Sequence, residues 1–211
     1  MRPRYTALRD AEAFYRSVRP WLLVREEDSV LIAPPNRVYK LGGSAASILL
    51  WLDAGGALTE LPSLDDEKAA QLIVFFDELR AAYEGRSPEG RGFERVPYDF
   101  AFTRLPILGE IALTYRCNEA CRFCYAGCGA AGIEAGAPGE LSAAEWKRVI
   151  RVFKDEAKIP FFSFTGGEPL LRPDLEELAS FARSLGLRVN LITNGSLATV
   201  DRAASLKAAG I

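Results

Sequence analysis

The sequence predicts an α/β chain in two parts: a small α+β unit over residues 1–84, then strand–helix units over 108–211. Three observations predict it. Residues 85–92 read Gly-Arg-Ser-Pro-Glu-Gly-Arg-Gly, a polar stretch rich in glycine and proline with linker character, and the linker is drawn over 85–107. Before it, short apolar runs come first and helical patterns follow. After it, strands and amphipathic helices alternate three times, a (βα)₃ order. That order implies parallel strands joined by right-handed crossovers.

In the first part, Trp21 to Arg25 and Val30 to Ile32 are apolar runs separated by Glu26-Glu27-Asp28-Ser29, a tight-turn composition. Pro34-Pro35-Asn36 makes a second turn, and Arg37-Val38-Tyr39-Lys40-Leu41 alternates like a third strand. Ser44 is expected to cap a helix carrying Ile48, Leu49, Trp51 and Leu52, with Gly55-Gly56 at its end. A short turn runs from Leu58 to Leu61. A longer amphipathic helix over Ser63 to Tyr83 shows Leu72, Phe75, Phe76 and Leu79 at helical spacing.

In the second part, Ile111 to Tyr115 is a strand leading into Cys117, followed by a Gly/Ala-rich loop to Glu140. Ser142 and Glu145 form a capping box for a helix through Trp146, Val149, Ile150 and Phe153. Phe161 to Phe164 is the second strand and ends at Gly166-Gly167. Asp174 opens a helix using Leu175, Leu178, Ala182 and Leu185, which Gly186 stops. Leu187 to Thr193 is the third strand, ending at Asn194-Gly195, and a last helix spans about 197–209 before Gly210.

The composition narrows the chemistry. The 211 residues include four cysteines and no histidine, and the net charge is −2. Without histidine there is no Ser–His–Asp triad, no Cys–His nucleophile pair and no His-ligated zinc site. The near-neutral charge gives no reason to expect nucleic acid or an anionic membrane as partner. No signal peptide or membrane span is visible, so a cytoplasmic, reducing setting is expected. All four cysteines lie between Cys117 and Cys128, which speaks for metal binding or redox chemistry over disulfide stapling.

The cysteine loop reads Cys117-x₃-Cys121-x₂-Cys124-x₃-Cys128. Closely spaced thiolates on one loop suit three corners of an iron–sulfur cube; a structural zinc loop is the competing reading. Thr165-Gly166-Gly167-Glu168-Pro169 ends the second strand, and Thr193-Asn194-Gly195 ends the third. Each alone reads as a strand-end turn. In parallel α/β folds, ligand sites gather at these strand ends.

Taken together, residues 108–211 resemble the radical S-adenosylmethionine (radical SAM) enzymes. Their signature is CxxxCxφC after the first strand, with Phe123 as the aromatic φ, and a GGE motif after the second. The resemblance implies a partial TIM-type barrel, of which this chain holds about three of six βα units. It implies a [4Fe-4S] cluster on Cys117, Cys121 and Cys124, whose open iron is chelated by S-adenosylmethionine. Gly166 and Gly167 would let backbone approach that ligand, Glu168 or neighbouring carbonyls would receive its ammonium, and Phe123 would pack near its adenine. Thr193 and Asn194 would line the cofactor or substrate pocket. An electron from an external donor, such as flavodoxin or ferredoxin, would yield a radical that abstracts hydrogen from substrate. Cys128 has no counterpart in the signature and is expected to be a bystander. Arg172 is expected to orient its loop or face solvent, not to bind substrate.

The N-terminal part resembles the PqqD-like domain, a winged-helix precursor-recognition element, on its three strands, the Ser44 to Asp53 helix and the long last helix. That resemblance implies a precursor (leader) peptide bound as an added strand between the sheet and the last helix. The expected enzyme modifies a ribosomally made peptide; a radical enzyme on a small molecule and a non-catalytic zinc module are the alternatives. With half a barrel, this chain is expected to be a truncated product, inactive alone.

Overall fold

The computed structural model describes residues 3–33, 37–90, 92–99, 101–128 and 139–211. The Pro34-Pro35-Asn36 turn and the middle of the Gly/Ala-rich loop lie outside them. The chain divides into two compact units, Met1–Arg104 and Leu105–Ile211.

The first unit opens with a helix that the strand pattern did not anticipate, α1 (Pro3–Val18). It has no apolar run, but Leu8, Ala11, Tyr15 and Val18 are buried and recur at steps of three and four, one face of a helix. Strands β1 (Leu23–Arg25), β2 (Val30–Ala33) and β3 (Arg37–Leu41) follow as expected and pair antiparallel in that order. The turn between β1 and β2 is held by an Arg25–Asp28 ion pair in which both side chains are buried, with bonds of 2.8 Å. Helices α2 (Gly43–Asp53) and α3 (Asp66–Tyr83) complete the core with α1. Ser44 does not cap α2. Gly42 holds the cap position without a side-chain bond, and Ser44 lies inside the helix. The cap of α3 is Asp65, which accepts from the Lys68 amide at 2.7 Å.

The glycine-rich stretch past residue 84 does not all run free. Phe93–Glu94 forms a fourth strand, β4, antiparallel to the end of β3. Further on, the Arg104 amide donates to Asp28 at 2.9 Å, and Lys40 Nζ bonds the carbonyls of Asp28 and Phe102. These contacts fasten residues 93–104 to the first unit.

The second unit is a three-stranded parallel sheet in the order β5 (Gly109–Thr114), β6 (Phe161–Gly166), β7 (Arg188–Leu191). It alternates with α4 (Ala143–Asp155), α5 (Leu175–Ser184) and α6 (Val200–Ala209). Central β6 is buried from Phe161 to Thr165, as a parallel strand covered on both faces must be. The Ser142–Glu145 capping box is present. Asp174 sits at the start of α5 but makes no cap; its carboxylate goes to Arg172. Strand β7 stops at Leu191, short of the expected Thr193: the Ile192 amide still donates to Phe164 O of β6 at 2.9 Å, but the Asn194 amide turns to a different partner described below. Among the described residues no helix is long and apolar enough to cross a membrane.

Candidate functional site

All three sequence motifs lie at the C-terminal ends of the parallel strands: the cysteine loop after β5, the Gly-Gly-Glu turn after β6, and the Thr-Asn-Gly turn after β7. Parallel pairing with right-handed crossovers puts those ends on one side of the sheet.

The first two motifs touch through backbone. The Gly167 amide donates to Thr114 O at 2.7 Å and the Glu168 amide to Arg116 O at 2.8 Å. This approach demands glycine. A Cβ on Gly166, whose φ is +125°, would sit 2.1 Å from Thr114 O, and one on Gly167 would sit 2.1 Å from Arg116 O. The glycines thus let the β6 turn close on the first residues of the cysteine loop.

Glu168 joins the third motif to this pair. It is fully buried. One carboxylate oxygen accepts from the Leu170 amide at 2.8 Å and the Thr193 hydroxyl at 2.7 Å; the other accepts from the Asn194 amide at 2.8 Å. The Asn194 side chain carries the linkage on, donating to Asn118 Oδ1 at 3.0 Å and lying 3.9 Å from Cys117 Sγ. Asn118 in turn donates to Ser196 at 2.7 Å. Both Glu168 oxygens are therefore engaged inside the protein.

A second group, absent from the sequence reading, braces the base of the cysteine loop. Glu140 accepts from the Thr114 hydroxyl and from Arg116 Nε. Burial pushes the Glu140 carboxyl up, but the bonds from Thr114 and Arg116 outweigh it and leave it below the usual carboxylate range. Arg172 is buried. It bonds the Leu113 and Leu141 carbonyls and forms a two-bond pair with Asp174 at 2.8 and 2.7 Å. Of the two expectations for Arg172, orienting its loop fits these bonds and facing solvent does not. Nothing near Glu140 in sequence marked it, because it closes a featureless Gly/Ala-rich loop.

The four thiols differ. Cys121 is exposed, Cys117 and Cys124 are half-buried, and Cys128 is buried. Backbone amides of Cys128 and Ala126 pull the Cys124 thiol down, while burial pushes that of Cys128 up. Phe123 is 90% exposed. Among the described residues, no three acidic or thiol side chains converge on one metal ion.

Residues 111–211 match the family model described as the Radical SAM superfamily. This segment is similar to the radical SAM superfamily. Curated relatives of the domain include an AdoMet-dependent heme synthase of Oleidesulfovibrio alaskensis, 41% identical over 102 residues, covering 47% of this chain and 24% of that protein. A probable GTP 3′,8-cyclase of Methanopyrus kandleri is 43% identical over 104 residues, covering 48% and 31%. A PqqA peptide cyclase of Rhodopseudomonas palustris is 38% identical over 109 residues, covering 51% and 27%. These relatives are enzymes, and the radical SAM match spans under a third of their length. Among solved structures, Streptococcus suis SuiB is 16% identical with a TM-score of 0.49, covering 88% of this chain and 42% of that one.

Proposed function

We propose that this chain is part of a radical SAM enzyme. Cys117, Cys121 and Cys124 would hold a [4Fe-4S] cluster, and the turns at Gly166–Gly167 and Thr193–Asn194 would hold S-adenosylmethionine. The observation that carries the reading is the junction of the three strand-end turns through Glu168, Asn194 and Asn118. The residues suit the group. The donor set is thiolate only, and a cube gives each thiolate its own iron, so three thiols need not meet at one point. The two glycines let the turn after β6 close on Thr114 and Arg116, which brings its backbone up to the first residues of the cysteine loop. Once bound, the cluster and S-adenosylmethionine supply one-electron chemistry that abstracts hydrogen from a substrate.

The chain's own residues then have distinct tasks. Cys124 enters with its thiol lowered below the usual range, because loop amides point at it. Glu168 holds the second and third turns in register, which leaves the carbonyls beside Gly166 and Gly167 for the ammonium of S-adenosylmethionine. Phe123, exposed as it is, is available to cover an adenine ring. The electron comes from an external donor of the flavodoxin or ferredoxin class.

The test is anaerobic reconstitution with iron and sulfide, read by paramagnetic resonance and metal analysis. Cys117→Ala, Cys121→Ala and Cys124→Ala are expected to lose the cluster and Cys128→Ala to keep it. Stoichiometric zinc with no iron chromophore would overturn the proposal.

For the substrate, we infer a ribosomally made precursor peptide whose leader binds a PqqD-like, winged-helix-type domain over residues 1–84, joined by 85–107 to the radical SAM core over 108–211. The antiparallel sheet with α3 alongside it, and the peptide cyclase among the relatives, support this reading. The heme synthase and GTP cyclase relatives favour a small-molecule substrate instead. Titrating the chain with candidate leader peptides separates the two: consistent absence of binding would favour the small molecule.

A further inference from the structure

The first unit already contains a small strand bound in the manner expected of a peptide. Strand β4 lies on the outer edge of β3, with Glu94 opposite Lys40 and Phe93 opposite Leu41, and the Gly42 amide donates to Gly92 O at 3.0 Å. Its anchor is Phe93. The ring stands 5.8 Å from that of Tyr39 on β3 and 5.7 Å from that of Phe75 on α3. Gly92 must come before it: φ is +102°, and a Cβ there would meet the Phe75 ring at 2.4 Å. Helix α3 lines this edge further along, since the side chains of Arg37 and Tyr39 both reach the Ala82 carbonyl.

The resident strand uses only part of the edge. Continuing its register would set Arg95, Val96 and Pro97 against Tyr39, Val38 and Arg37, yet pairing stops at Glu94 and these three residues are exposed. Proline lacks the N–H a longer ladder needs. Next to Gly92, a cavity of about 450 Å³ opens between α2 and α3, floored by Ala45, Ile48, Leu72 and Phe75. The edge and the cavity together offer more surface than a two-residue strand covers.

We propose that residues 92–94 are a tethered stand-in for a partner peptide and exchange with it on β3. The surface takes an extended segment with glycine at the Gly92 position, an aromatic residue at the Phe93 position and no proline in the next three. Such a peptide gains the free length of the edge, and the linker is released when it binds. This inference rests on the peptide-binding reading of the N-terminal unit.

The probe is a fluorescein-labelled synthetic peptide with the sequence of residues 88–98 carrying Pro97→Val, added to the whole chain and followed by anisotropy. Loosening the resident strand with Phe93→Ala in the chain is expected to tighten probe binding about tenfold, because the competing occupant is weakened. A probe that itself carries Phe93→Ala should not bind. Equal affinity for both chains, or no binding to either, would overturn the inference. If the substituted chain loses its circular dichroism, hydrogen exchange on the unsubstituted chain decides: the amides of Phe93 and Glu94, the paired residues of the resident strand, should exchange about tenfold or more ahead of those of 30–33, reflecting local opening. Equal protection sinks the proposal. Failure of the leader-peptide reading looks different: the probe binds, but no candidate leader displaces it.

Discussion

Glu168 shows how one side chain can set a site. Buried and holding three donors, it joins the turn after β6 to the turn after β7. Glu168→Ala leaves two amides and a hydroxyl without an acceptor. At about 1–3 kcal/mol for each unsatisfied buried group, the variant should lose on the order of 2–4 kcal/mol in denaturant unfolding, after partial relief by water. Glu168→Gln keeps one acceptor oxygen and should lose less. A Glu168→Ala chain as stable as wild type would show that the junction carries no strain-bearing bonds. The thiols allow a second test. In metal-free protein at neutral pH, Cys124 should alkylate faster than Cys128, since the thiolate is the nucleophile and burial disfavours it at Cys128. Mass spectrometry of the iodoacetamide-treated chain reads the order directly.

Among the elements, the strand ends are linked by side chains as well as by backbone. The Arg172–Asp174 pair fixes the segment between β6 and α5, and Arg172 also reaches the carbonyls at the end of β5 and before α4. The guanidinium beside Asp174 holds its carboxyl below the usual range, against the opposing effect of burial. A depressed folded pKa contributes stability above the unfolded value of about 3.9 and loses it as the pH falls through the folded value. Asp174→Asn should therefore be less stable than wild type near neutral pH, and the gap should narrow at low pH. Urea unfolding across that range checks it; a gap independent of pH would assign the loss to packing. Gly166→Ala tests the other link. With no room for the Cβ beside Thr114 O, the turn after β6 must part from the end of β5. A lower melting temperature and a reconstituted iron content below wild type are the expected results.

For the whole molecule, the parallel sheet ends on β7, which among the described residues pairs only with β6. An unpaired edge of this kind invites pairing with another chain. The 211-residue chain should show concentration-dependent self-association by light scattering, and Asn190→Lys, on the exposed side of β7, should lower it. Identical scattering from the two proteins would place any association elsewhere.

Much of the second unit could be read without coordinates, because its signals are local. The capping box at Ser142 and Glu145, the apolar run at Phe161 and the glycine stops need only their neighbours in sequence. The motif residues were identifiable for the same reason: cysteine spacing and paired glycines are short-range patterns tied to specific chemistry. Helix α1 escaped because its four buried residues are dispersed among charged ones, and Ser44 was misplaced because capping depends on where the backbone turns. Only the tertiary structure could show that Glu168 spends both oxygens within the protein, that Glu140 braces the cysteine loop, and that Phe93 occupies the β3 edge. Each joins residues far apart in the chain. No local pattern encodes such a contact, because its energy exists only once the strands are side by side. Residue types and spacing by themselves determined which chemistry the chain is equipped for. The packing of strand ends decided which residues are free to take part in it.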